Sequence, residues 1–173
     1  MKMCKWWMTV CLLFVCGVGI PSCITEDEDR GTIELEVGDT LPVFSVQLTN
    51  GRTITTGSLR GRPSLVVFFH TGCKDCQKEF PVLQQIYEDY GDEVEFVAVS
   101  REENAADIAS YWAEHHLTIP YSAQEDRTVY HLFAKMSIPR IYVSDQDLVI
   151  RSIFTDDPLA SYEDLAEAIS PLL

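Results

Sequence analysis

The chain is 173 residues long and carries 27 Asp+Glu against 13 Lys+Arg, a net charge of −14. That balance disfavours nucleic acid and anionic lipid surfaces as partners and favours solubility. Its length holds one domain of ordinary size with room for a real core, and no internal repeat or low-complexity linker divides the body.

Lys2 and Lys5 precede an apolar run from Thr9 to Ile20 that is too short to cross a bilayer as a stable helix, so residues 1–22 read as an export signal. The run ends in Ile20-Pro21-Ser22-Cys23, which resembles the lipobox of bacterial lipoproteins and marks Cys23 for lipidation, although Pro21 departs from the usual small or polar choice. Glu26-Asp27-Glu28-Asp29 then resembles the acidic tag with which some Gram-negative bacteria route lipoproteins to the outer membrane. By charge alone it is a solvated linker, and residues 23–36 are expected to form a tether outside a folded body of residues 37–173. Removing the signal leaves 11 Lys+Arg, 13 less Lys2 and Lys5, against 27 Asp+Glu, a net −16. Cys4, Cys11 and Cys16 leave with the signal and Cys23 takes the lipid. Cys73 and Cys76 are then the only thiols in the body, and a disulfide-stapled scaffold is excluded.

Within the body, Val43 to Leu48 and Thr53 to Thr55 flank Asn50-Gly51 and predict a hairpin, because Asn-Gly suits a tight turn. Ser64 to Phe69 is a continuous apolar run that reads as a buried central strand. A helix follows from about Lys74 to Tyr90, with Phe80, Leu83, Ile86, Tyr87 and Tyr90 at helical spacing and Pro81 expected to kink it. Val94 to Ser100 reads as a strand, Ala105 to His115 as a helix and Arg127 to Ala134 as a third helical segment. Ile141 to Ser144 and Leu148 to Phe154 form a second hairpin, and Ser161 caps a terminal helix to Ile169 with Asp164 at its third position. This order predicts an α/β fold, a mixed central sheet with helices on both faces and an N-terminal hairpin extension.

Cysteines two residues apart at a strand-to-helix junction lie one helical turn apart on one face, within a modest adjustment of disulfide geometry. At the helix start the Cys73 sulfur faces unpaired backbone N–H groups, which favours a thiolate and makes Cys73 the attacking group. Cys76 lies deeper and is the natural resolving thiol. A zinc site needs two more ligands, whereas there is no second CxxC and His70, His115, His116 and His131 are scattered. A static disulfide closing so short a loop would be a poor staple.

The body resembles the TlpA/ResA-like thiol-disulfide oxidoreductases of the thioredoxin-like superfamily. Val37-Gly38-Asp39-Thr40-Leu41-Pro42-Val43-Phe44, Asn50-Gly51-Arg52-Thr53, Leu59-Arg60-Gly61-Arg62-Pro63, Cys73-x-x-Cys76-x-x-Glu79-Phe80-Pro81 and Ser137-Ile138-Pro139 carry the likeness. The resemblance implies a thioredoxin-like fold and a cis Pro139 opposite the cysteines, with the Ile138 backbone free to pair with an extended substrate. It also implies that Glu79 handles protons, because the buried acid of thioredoxins would fall at Val67. Gly72 stands where thioredoxins carry tryptophan, which implies wider access to the sulfurs. His70 reads as a strand-end residue, and Lys74-Asp75 between the cysteines leaves the redox direction open.

The expected protein is therefore a disulfide-exchanging enzyme, read as a reductase, anchored by lipid on the periplasmic side of a membrane. It would act on protein thiols and disulfides, draw electrons from a membrane partner, and need no cofactor beyond the Cys73–Cys76 pair and no metal. Two other readings compete. A peroxiredoxin-like enzyme would need proline at Val66 and threonine at His70, and a Sco-like copper-delivery protein would need a spacing one residue longer.

Overall fold

The computed structural model describes residues 34–173. The export signal, Cys23 and most of the tether lie outside the described residues. Among those described, no helix is long and apolar enough to cross a membrane.

A leading arm runs into a two-stranded antiparallel hairpin of β1 (Ser45–Gln47) and β2 (Thr53–Thr55), turned at Gly51 with φ 84°. The main sheet has five strands, β3 (Ser64–Phe69), β4 (Glu95–Ser100), β5 (Tyr121–Ser122), β6 (Arg140–Ser144) and β7 (Ile150–Phe154), in spatial order β5-β4-β3-β6-β7. β3, β4 and β5 are parallel, whereas β6 and β7 are antiparallel additions on the other flank, so the sheet is mixed as expected. Every residue of β3 and β4 is buried, which is why β3 reads as an apolar run without alternation.

Three α-helices follow: α1 (Lys74–Tyr90), α2 (Ala105–Glu114) and α3 (Tyr162–Ile169). α1 buries Cys76, Glu79, Phe80, Leu83 and Ile86, a stripe at helical spacing, and runs through Pro81 without a break. α3 begins with the expected capping box, in which Ser161 and Asp164 bond each other's backbone N–H groups. Phe69 meets Phe80 of α1 and Trp112 of α2, and α3 packs beside α1, so all three α-helices cover one face. Right-handed crossovers stepping in one direction from β3 through β4 to β5 require this arrangement for α1 and α2.

Phe68, next in the strand and so on the opposite face, packs on Tyr130 and Phe133. The helical segment expected over 127–134 is there a single 3-10 turn, Tyr130–Leu132. This turn and the leading arm, through the Phe44–Phe133 contact, close the second face. Helical cover on that side is thus one short turn.

A boundary and a short strand also differ from the sequence reading. The tether does not extend to residue 36: the Leu35 N–H donates to the Phe133 carbonyl at 3.0 Å, and Glu34 pairs with Arg140. The arm continues beside the start of β7, where Gly38 N–H donates to Ile150 O at 2.9 Å and Leu41 N–H to Leu148 O at 2.9 Å, so that it pairs with residues 148–150. β5 escapes sequence reading because two residues carry no period. It is held by β4 and by Thr49, whose N–H donates to Tyr121 O at 2.8 Å.

Candidate active site

Parallel strands that end in register place the residues after them side by side. Phe69 and Ser100 are paired, so His70 and Arg101 emerge together at the carboxyl end of the sheet, where α/β proteins build their sites. From His70 the chain makes one tight turn before α1. The Cys73 N–H donates to His70 O at 3.0 Å, and the Gly72 N–H to His70 Nδ1 at 2.9 Å. A Cβ on Gly72 would stand 3.2 Å from that nitrogen, so glycine makes room for the imidazole ring as well as leaving the approach open.

Thr71 is fixed from outside the turn by Glu103, a buried carboxylate that accepts from both the Thr71 N–H, at 2.9 Å, and its hydroxyl. The ring of His70 stands 3.8 Å from the same carboxylate.

Cys73 is the N-cap of α1, and its sulfur accepts from the Cys76 N–H at 3.5 Å. An acceptor at an N-cap takes up one of the donors that a helix start leaves unpaired. Both thiols are free; Cys73 is half-buried and Cys76 fully buried. Burial pushes the Cys76 thiol well up, helped by the neighbouring Cys73 sulfur and opposed by the His70 backbone N–H and the Arg101 guanidinium.

Across from Cys73 lies the segment preceding β6. The Cys73 thiol donates to the Ile138 carbonyl at 3.5 Å, the Ile138–Pro139 bond is cis, and Ser137 is left-handed with φ 66°. The Tyr130 hydroxyl holds this segment from beneath by donating to Ser137 O at 2.8 Å. Between the two walls is a cleft of about 390 Å³ lined by His70, Gly72, Cys73, Arg101, Ser137 and Ile138.

Sequence reading thus named residues that the fold brings together: Cys73, Cys76, Ile138 and Pro139. Glu79 stands apart from the cleft. It is 1% exposed, its Oε1 finds no hydrogen-bond partner among the described residues, and burial, with Asp164 adding repulsion, raises its carboxyl to about 7. It lies three residues along α1 from Cys76, one turn deeper on the buried stripe. Val67 is buried in β3, so no acid occupies that position.

Arg101 and Glu103 were not singled out from the sequence. The signal was available in the strand ends, since the residue after β4 must neighbour the residue after β3. Arg101 reaches the cleft with its Nε unpartnered among the described residues and its Nη2 3.2 Å from Glu102. No group of three or more His, Cys, Asp or Glu is placed to hold a metal ion among the described residues.

The AhpC/TSA family model matches residues 37–153. The thiol-disulfide oxidoreductase ResA of Bacillus thuringiensis subsp. konkukian is 24% identical over 168 residues, covering 94% of each chain. ResA of Bacillus subtilis is 24% identical over 161 residues, covering 90% of this chain and 89% of its own. Among solved structures, the thioredoxin domain of a Bacteroides vulgatus thiol-disulfide oxidoreductase superposes with a TM-score of 0.66 at 22% identity, over 78% of this chain and 98% of that one. A thioredoxin-family thiol:disulfide interchange protein of Chlorobium tepidum gives 0.67 at 19% identity, over 81% and 99%. At such identities the structural likeness carries the fold alone, and that fold is thioredoxin-like.

Proposed function

We infer that this chain, which belongs to the AhpC/TSA family, is a thiol-disulfide oxidoreductase in which Cys73 attacks and Cys76 resolves. The observation that carries the assignment of roles is the asymmetry of the pair: Cys73 opens onto the cleft at a helix start, whereas Cys76 is sealed beneath it. The Cys73 thiolate attacks a substrate disulfide, forming a mixed disulfide and releasing one substrate thiolate. Cys76 then gives up its proton and attacks the Cys73 sulfur. The second substrate thiolate leaves, and two electrons have passed to the substrate as the Cys73–Cys76 disulfide forms.

Glu79 supports the second step in this proposal. A carboxyl at about 7 is half ionised near neutral pH, and its place one turn below Cys76 suits it to take the proton that burial makes hard to lose. The Ile138 backbone serves as the partner of an extended substrate segment, beside Pro139.

The direction we propose is reductive. A thiol pushed up by burial is a poor leaving group and a strong nucleophile, so the pair prefers to give electrons away. The proposed setting is extracytoplasmic, with lipid on Cys23 as the anchor, a membrane protein as electron donor and exported proteins as substrates. Peroxide chemistry finds less support, since Val66 and His70 stand where its proline and threonine are needed.

Insulin reduction with dithiothreitol tests the reading. Wild type should accelerate precipitation of the insulin B chain and Cys73→Ser should not; equal rates would refute it. The potential of the pair should lie near −270 mV, on the order of a thioredoxin, and a value near −120 mV would reverse the direction.

A further inference from the structure

Segment 135–140, which carries Ile138 opposite Cys73, is clasped at both ends by one carboxylate. Glu34 Oε2 accepts from the Lys135 N–H at 3.0 Å, and Glu34 Oε1 pairs with Nη1 of Arg140. These residues are the first and last of the segment. The next residue along, Leu35, adds its backbone bond to Phe133 just before the segment begins. The Arg140 side chain is 11% exposed and its Nε has no partner among the described residues, so Glu34 is what balances a guanidinium that is largely out of water. Removing one partner of such a pair leaves the other poorly solvated, and the chain that carries it shifts to recover water. The backbone N–H of Lys135 would lose its acceptor at the same time. Between the two clasped ends, among the described residues, the segment is bonded to the body by the Tyr130 hydroxyl, which donates to Ser137 O, and by the longer contact from the Cys73 thiol to Ile138 O.

We propose that Glu34 is a positioning residue for substrate binding, holding segment 135–140 so that the Ile138 backbone meets an extended chain whose disulfide lies at Cys73. It touches neither sulfur and acts through Lys135 and Arg140. The proposal rests on the reading that the cleft takes a protein disulfide. It assigns a task in the site to a residue from the entrance of the fold, a hundred positions from the segment that it holds. A small disulfide that needs only the sulfur would scarcely sense the clasp, whereas a polypeptide laid along Ile138 would.

Steady-state kinetics on the full chain separate these cases, with insulin as the protein disulfide and 5,5′-dithiobis(2-nitrobenzoate) as the small one. Glu34→Ala should raise KM for insulin about threefold to tenfold more than for the small disulfide, while kcat changes by less than about twofold. Glu34→Gln, which keeps an acceptor for Lys135 and loses the charge, should fall between wild type and Glu34→Ala, and it serves as the test if the alanine variant does not fold. A purely structural role predicts instead that both substrates lose activity in the same proportion, through a smaller folded fraction; that result would overturn the proposal. So would an unmoved insulin KM with an active wild type, which would leave the oxidoreductase reading standing. A wild type that reacts with the small disulfide and never reduces insulin would remove that reading and the proposal with it.

Discussion

The two walls of the cleft are built by different means. On the cysteine side the bonds are local: Gly72 to His70, Cys73 to His70, Cys76 to Cys73, and Gln77 Nε2 to Thr71 O at 2.7 Å, with Glu103 as the one distant contributor. On the facing side, Lys135 and Arg140 are held by a residue 101 and 106 positions away, and Ile138 meets Cys73 across 65. In the proposed mechanism, chemistry at the sulfur comes from a helix start that folds on itself, whereas recognition depends on contacts made once the whole domain has closed. Damage to the first wall should alter reactivity, and damage to the second should alter which substrates are accepted.

The largest effect should come from the first wall. Cys76→Ser should lower turnover on insulin by about 10³-fold while leaving the attack by Cys73 in place, so that a mixed disulfide accumulates and is visible on a non-reducing gel. A variant that turns over without that adduct would show that Cys76 does not resolve it.

Glu79 gives the next effect, and its sign follows from its raised value. The folded state holds this proton up to about pH 7, whereas the unfolded chain releases it near the ordinary 4.5. Stability is therefore undiminished below about 4.5, declines as pH rises from there towards 7, and is lower by about 3 kcal/mol above it, where both states are ionised. Glu79→Gln should remove that decline. Urea denaturation at about pH 4.5 and pH 8.5 checks it, and an equal pH dependence in both proteins would assign the cost to another group.

The smallest effect belongs to the second wall. Tyr130→Phe deletes the bond to Ser137 O and should cost about 1 kcal/mol of stability. Thiol reactivity towards iodoacetamide should change less than the KM for insulin. A larger loss in alkylation rate than in KM would erase the distinction between the walls.

Much of the first wall was legible in the sequence, since a CxxC after a buried apolar run fixes the helix start and the spacing of the pair. The antiparallel hairpins and the Ser161 cap were legible for the same local reason. The helix expected over 127–134 failed because its apolar side chains, Tyr130 and Phe133, are spaced for packing on Phe68, which a single 3-10 turn satisfies. Glu34 read as the end of an acidic linker because nothing local to it marks a partner beyond residue 130.

By itself the sequence determined the redox pair, its placement at a helix start and the mixed α/β order, since each depends on residues within a few positions of one another. The tertiary structure alone decided that Glu79 is sealed in the interior, that Arg101 stands beside His70, and that Glu34 clasps the opposing segment. The reason is physical: burial, strand register and ion pairing are properties of surfaces that meet only after folding, and no spacing along the chain records them.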